Sequence, residues 1–79
     1  MEPFIGQVEL FPYDFVPRGW APCEGQTLKV RENQALSTLL KNRFGGDGKT
    51  TFGLPDLRKD APPNLRFCIA VSGLFPSFM

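Results

Sequence analysis

The chain has 79 residues, of which 42% are hydrophobic, and nine basic against eight acidic side chains give a net charge of +1. This length supports one small domain over residues 1–79 and is too short for two independent cores. Scattered basic residues argue against a nucleic-acid-binding face, and no apolar run approaches the roughly 20 residues that would insert into a bilayer.

The N-terminal third alternates between extended segments and turns. Apolar and polar residues from Phe4 to Phe11 follow the pattern of a partly solvated strand. Prolines and glycines from Pro12 to Pro22 predict an ordered loop that leads into Trp20. After a turn at Glu24-Gly25, the alternation from Gln26 to Val30 predicts a second short strand.

One segment, from Glu32 to Phe44, has the apolar periodicity of an amphipathic helix. The apolar residues at spacings of one, three and four are Ala35, Leu36, Leu39, Leu40 and Phe44. Lys41 and Arg43 fall in the last turn, where the helix dipole favours cations. Gly45-Gly46 is typical of the left-handed stop that ends a helix, so we expect the helix to end there.

The second half predicts the centre of a sheet. Gly45 to Thr51 is typical of a loop, Thr51 to Pro55 of an extended segment, and Asp60 to Asn64 of a further break. The run from Leu65 to Leu74 contains five consecutive apolar residues, Phe67 to Val71, which is typical of a central strand buried on both faces. We therefore expect an α+β fold, a few-stranded and mainly antiparallel sheet with the helix from Glu32 to Phe44 packed on it.

The residue types present argue against catalysis. The chain has no histidine, which is the commonest general base and metal ligand. Cys68 lies in an apolar run where burial raises a thiol pKa, and Cys23 is little better placed, so we expect two buried free thiols. Gly48-Lys49-Thr50 matches the end of a phosphate-binding loop, but Arg43 stands where that motif needs a glycine. We expect no enzyme activity, catalytic residue, metal or cofactor.

Two groups of residues are candidates for binding. Tyr13, Phe15 and Trp20 lie in or beside the proline-rich loop and form a candidate stacking surface for a sugar or a partner chain. The alternative, which we expect, is that Phe15 and Trp20 fill the core of a small domain. The C-terminal residues are unusually apolar for a chain end and form a candidate partner interface. They are Leu74, Phe75, Phe78 and Met79.

Five linked motifs resemble the phage tail collar family, including its microcystin-dependent-protein-like members, in order and in spacing. They are Phe4 to Val8, Pro17 to Gln26, Asn33 to Leu36, Phe44 to Gly48, and Thr50 to Arg58. The resemblance extends more weakly to a C-terminal segment from Ile69 to Ser77. Typical relatives carry a long glycine-rich insertion before the last strand, whereas this chain crosses that gap from Lys59 to Asn64. The resemblance therefore covers a minimal collar.

The resemblance implies a structural component of a phage tail or phage-derived injection particle, associated with its collar, tip or fibre. Such a chain is expected in a virion tail or secreted particle after synthesis in the bacterial cytoplasm. Its expected partners are other tail proteins and further copies of itself, in a trimer or a ring. Two other functions stay open: a small adhesin module that binds a cell-surface glycan, and a collar-fold regulator that binds a host factor.

Overall fold

The computed structural model describes residues 2–76, and within them five short strands and one α-helix form an α+β fold. In chain order the elements are β1 (Val8–Pro12), β2 (Trp20–Pro22), β3 (Thr27–Lys29), α1 (Gln34–Leu40), β4 (Thr51–Gly53) and β5 (Leu65–Ala70). Two 3-10 turns, Val30–Glu32 and Arg58–Asp60, lie before α1 and after β4. The predicted fold class is confirmed.

The strands form two antiparallel sheets instead of one. The first sheet has the order β1-β5-β2, and the second pairs β3 with β4. Within the first sheet, Val8 of β1 lies opposite Ile69, and Trp20 of β2 lies opposite Ala70 on the other side of β5. The apolar run at the C-terminal end therefore supplies the central strand, as the sequence predicts.

The first and last strands are shorter than their alternation indicates. The backbone turns at Gly6, so Phe4 is separated from β1 and makes only an isolated parallel bridge with Leu74. At the other end of the chain, β5 ends at Ala70 and not at Leu74. In contrast, the sequence predicts a loop at Trp20–Pro22, and this prediction is wrong. The segment is a strand because pairing with β5 overrides a weak local strand preference.

The predicted helix from Glu32 to Phe44 is wrong in both of its bounds. Asn33 has φ −145° and ψ 49°, so α1 begins only after it, and the helix ends at Leu40. Lys41 terminates α1 with a φ of 53°, and Phe44 lies beyond it with 43% of its surface exposed. Within residues 2–76, no helix is long and apolar enough to span a membrane.

The glycines expected to stop the helix serve a different purpose. A Cβ on Gly46 would lie 2.6 Å from the carbonyl oxygen of Thr51 and 2.7 Å from the nitrogen of Phe52. The N–H of Gly53 donates to the carbonyl of Gly45 at 3.0 Å. The loop after α1 therefore needs glycine because its backbone passes directly against β4.

The core joins α1 to both sheets. Leu36 from α1, Phe52 from β4 and Ile69 from β5 are almost completely buried. The buried cluster consists of Ile5, Cys23, Leu36, Phe52, Leu54 and Ile69. Phe15 and Trp20 are not members of it, and Phe15 is 52% exposed. The expectation that these two aromatic residues fill the core is wrong, because aliphatic residues and Phe52 already occupy the space between helix and sheets.

Candidate interaction surfaces

Part of the predicted partner interface lies where the two ends of the described chain meet. Leu74 forms a parallel bridge with Phe4, and main-chain hydrogen bonds of 2.8 and 2.9 Å hold it beside residues 3–5. Phe4, Leu74 and Phe75 are each about half exposed, and we call them the end patch. The remaining two residues of the predicted interface, which lie outside the described residues, are Phe78 and Met79. The sequence missed Phe4, because only the fold brings it to Leu74.

Three aromatic side chains form a second surface, the aromatic cluster of Phe11, Phe15 and Trp20. The ring centroids of Phe11 and Trp20 are 5.0 Å apart and those of Phe11 and Phe15 are 6.2 Å apart, both in edge-to-face geometry. Phe15 is exposed, while Phe11 and Trp20 are half-buried. An open cleft beside the cluster is also lined by Glu2, Gln7 and Glu9. The cluster therefore combines apolar rings with hydrogen-bonding groups.

Tyr13, the third residue of the predicted stacking surface, lies with a different partner. The guanidinium carbon of Arg66 lies 4.2 Å from the centroid of the Tyr13 ring, in a cation–π contact. The same guanidinium is 3.7 Å from a carboxylate oxygen of Glu24. A cleft of about 230 Å³ beside them is also lined by Cys23, Leu57, Arg58, Ala61, Leu65 and Phe67. The structure thus groups Phe15 with Trp20 and separates Tyr13 from both.

A single carboxylate closes the glycine-rich loop. One oxygen of Asp47 accepts the main-chain N–H groups of Lys49, Thr50 and Thr51 at 2.8, 2.7 and 3.0 Å. The other oxygen accepts the Thr50 hydroxyl at 2.7 Å. These hydrogen bonds, led by that from Thr51, favour the ionised form and hold the pKa of Asp47 well below its usual range. Asp47 therefore closes the loop that the sequence predicts from Gly45 to Thr51, and its acceptor oxygens are directed at the loop itself.

Asp56 and Arg58 lock the corner that follows β4. Arg58 donates from its side chain to both carboxylate oxygens of Asp56, at 2.9 and 2.7 Å, and its main-chain N–H donates to one of them at 3.2 Å. The side-chain hydrogen bonds are the main reason that the pKa of Asp56 falls to about 2. Because Asp56 follows Pro55, its carboxylate is expected from the sequence to lock this corner and to pair with Arg58. The structure confirms the pairing, and it holds a turn.

The cysteines are placed as core residues. Cys23 and Cys68 are both buried and free. Burial is the main reason that the pKa of Cys23 rises to about 11, and burial also raises the pKa of Cys68. Thiols with raised pKa values are poor nucleophiles at neutral pH. Among residues 2–76, no cluster of three or more cysteine, aspartate or glutamate side chains is arranged to hold a metal ion.

These features define a small α+β structural domain, in which carboxylates hold turns and apolar and aromatic side chains are presented to solvent. The family model of the Phage Tail Collar Domain matches residues 6–62, more than half of the chain. The chain therefore belongs to the phage tail collar domain family, in agreement with its linked sequence motifs. A comparison with curated proteins gave no match.

Proposed function

We propose that the chain is a structural component of a phage tail or a phage-derived injection particle, associated with the collar, tip or fibre. Family membership supports the tail assignment. The observation that carries the assembly role is the end patch, whose three large apolar side chains are about half exposed. Covering such a surface contributes about 25 cal/mol of favourable free energy for each Å² of apolar area removed from water. A protein partner that covers the end patch is therefore favoured.

The proposed partners are other tail proteins and further copies of the chain, in a trimer or a ring built through the end patch. The proposed partner interface also includes Phe78 and Met79. Residues 1–79 act as one collar domain, which is made in the bacterial cytoplasm and then held in a virion tail or a secreted particle. The chain has no histidine and both cysteines are buried, so the proposal contains no catalytic step.

Charge placed on the end patch should remove the chain from particles. We expect Leu74→Asp combined with Phe75→Asp to lower incorporation by about tenfold or more, because two desolvated carboxylates oppose assembly. Phe44→Asp is the matched control, since Phe44 is similarly exposed but lies in the loop beside β4. The measurement is quantitative mass spectrometry of purified particles, with circular dichroism to show that each variant is folded. Full incorporation of the folded double variant would contradict the assembly role of the patch.

The aromatic cluster supports a second candidate, a module that binds a cell-surface glycan. An exposed ring such as that of Phe15 can stack on the apolar face of a sugar. Glu9 lines the adjoining cleft, and one of its carboxylate oxygens accepts the Gln7 side-chain amide while the other offers an acceptor for a sugar hydroxyl. No contact among residues 2–76 favours the third hypothesis, a regulator that binds a host factor, and it is not proposed.

A glycan array tests this second candidate. The wild type is expected to bind a defined set of glycans on the array. Phe15→Ala is expected to lower this binding signal at least about tenfold, because the stacking energy of the ring is lost. Tyr13→Ala is the matched control, because Tyr13 is an equally exposed aromatic residue that contacts Arg66 instead. A wild type that retains no glycan eliminates the candidate.

A further inference from the structure

The cleft beside Tyr13 contains a basic group that lacks hydrogen-bond acceptors, and we call it the Arg66 cleft. The Arg66 side chain lines it from the central strand β5 and is only 20% exposed. Its Nε is buried and has no hydrogen-bond partner among residues 2–76. Its Nη2 lies 3.7 Å from a carboxylate oxygen of Glu24, which is longer than a hydrogen bond. Leaving a partly buried guanidinium in this state costs free energy, so an added acceptor is favoured.

The contact with Tyr13 holds Arg66 in place without satisfying its donors. The guanidinium carbon lies over the Tyr13 ring, 4.2 Å from its centroid. Tyr13 is itself held by its main-chain N–H, which donates to the Asn64 carbonyl at 3.0 Å. A cation–π contact attracts the charge of the guanidinium, but it supplies no oxygen or nitrogen acceptor for the N–H groups. Arg66 is therefore positioned before a ligand arrives, and its donors remain available.

The other polar groups of the Arg66 cleft add more donors than acceptors. Arg58 donates from Nε and Nη2 to Asp56, which leaves Nη1 for a further acceptor. The Tyr13 hydroxyl can also donate. Among the described residues that line the cleft, Glu24 alone is acidic. Because Asp56 already offsets the charge of Arg58, the main anchor for an anionic ligand is Arg66.

The size and the apolar part of the lining restrict what the ligand can be. The cleft has a volume of about 230 Å³, below the roughly 300–1,000 Å³ of sites that enclose drug-sized molecules. Its apolar lining consists of Leu57, Ala61, Leu65 and Phe67. These side chains would cover an aliphatic stem, whereas a doubly charged ion such as phosphate would lose hydration against them. The cleft therefore suits a small group with one negative charge and a short apolar stem.

We propose that the Arg66 cleft binds a carboxylate carried on a short aliphatic stem. The planar carboxylate accepts N–H groups from the planar Arg66 guanidinium, a pairing that is among the strongest between side chains. The stem lies against Leu57 and Leu65. Two sources carry this chemistry, the side chain of a glutamate in a partner tail protein and a small free acid. The first source rests on the proposed tail role, and the second does not.

Titration of the isotope-labelled chain with sodium butyrate, followed by nuclear magnetic resonance, tests the cleft directly. The reporter is the Nε–H resonance of Arg66, because this group belongs to the proposed anchor. We expect it to shift with a dissociation constant of about 1–10 mM, as for other very small ligands. Butyramide has a similar shape without the charge and is expected to bind at least about tenfold more weakly. Equal affinities for butyrate and butyramide, or no shift at about 100 mM butyrate, overturn the inference.

Two substitutions in the lining are expected to change the butyrate affinity in opposite directions, measured on the main-chain amide resonances of Leu57 and Leu65. Arg66→Gln removes the anchoring cation and is expected to raise the dissociation constant at least about tenfold. Glu24→Gln removes the carboxylate that repels the ligand and is expected to lower it about two- to fivefold. Arg43→Gln is the matched control, because Arg43 lies in the loop after α1 and outside the cleft. Circular dichroism shows whether each variant is folded. If Arg66→Gln does not fold, Glu24→Gln decides, and unchanged or weaker binding in that variant contradicts the proposed site.

A blocked tripeptide with glutamate between two alanines distinguishes the two sources of the carboxylate. Binding at least as tight as that of butyrate supports the side chain of a partner protein, and binding of butyrate alone supports a small free acid. The same peptide with glutamine in place of glutamate is the control and is expected not to bind. Failure of both butyrate and the glutamate peptide overturns the inference and leaves the proposed tail role intact, because the isolated chain is used throughout. Absence of the chain from purified particles contradicts the tail role alone.

Discussion

Phe52→Ala is expected to leave much of the chain unfolded at 25 °C. Phe52 has no exposed surface and lies in the cluster that joins α1 to both sheets. Truncating a buried phenylalanine to alanine costs about 3–5 kcal/mol, because transfer energy is lost and a cavity remains. A domain of this size has a free energy of unfolding on the order of 5 kcal/mol, so the variant keeps little of its stability. The measurement is urea unfolding followed by circular dichroism.

The matched control for Phe52→Ala is Phe44→Ala. The chemical change is the same, but Phe44 is 43% exposed and lies in the loop beyond α1. Its effect on the free energy of unfolding is expected to stay within about 1 kcal/mol, as for most surface substitutions. Equal losses of unfolding free energy in Phe52→Ala and Phe44→Ala would show that the core is not organised around Phe52.

Gly53→Ala is expected to lower the free energy of unfolding by about 1–3 kcal/mol through overpacking. A Cβ on Gly53 would overlap the carbonyl oxygen of Phe44 and lie 2.8 Å from its carbonyl carbon. Both are main-chain atoms that cannot rotate away, so the loop must move off β4. That movement strains the 3.0 Å hydrogen bond from Gly53 to Gly45.

The control for Gly53→Ala lies directly across the second sheet. Thr27 of β3 pairs with Gly53 and is exposed, so Thr27→Ala changes the same ladder position without a main-chain clash. We expect Thr27→Ala to change the free energy of unfolding by no more than about 0.5 kcal/mol. A Gly53→Ala variant as stable as the wild type would mean that the loop after α1 does not pass against β4 in solution.

The features that the sequence predicts well are those with a local cause. Consecutive apolar residues identify the central strand β5, since only a strand covered on both faces tolerates them. The glycine-rich run from Gly45 to Thr51 predicts a loop, and the structure shows that the Asp47 carboxylate closes it by accepting the N–H groups that follow. The pairing of Asp56 with Arg58 is equally local, two residues apart.

The features that the sequence misses depend on contacts distant in the chain. β2 contains a proline and becomes a strand only because β5 offers a partner. α1 ends at Leu40 although Gly45 looks like a better stop, because the loop must turn early, at Lys41, to reach β4. Phenylalanine is a residue type that is often buried, but Phe15 is exposed. Whether a given phenylalanine is buried depends on which residues already fill the interior.

Detection of the chain in assembled particles tests the proposed structural role most directly. Particles are purified by density gradient from bacteria that produce the chain, and their proteins are quantified by mass spectrometry. We expect the chain to co-purify with the tail proteins at a constant ratio from one preparation to the next. A chain that is absent from intact particles and persists in the lysate as a partner-free monomer would contradict the proposed structural role.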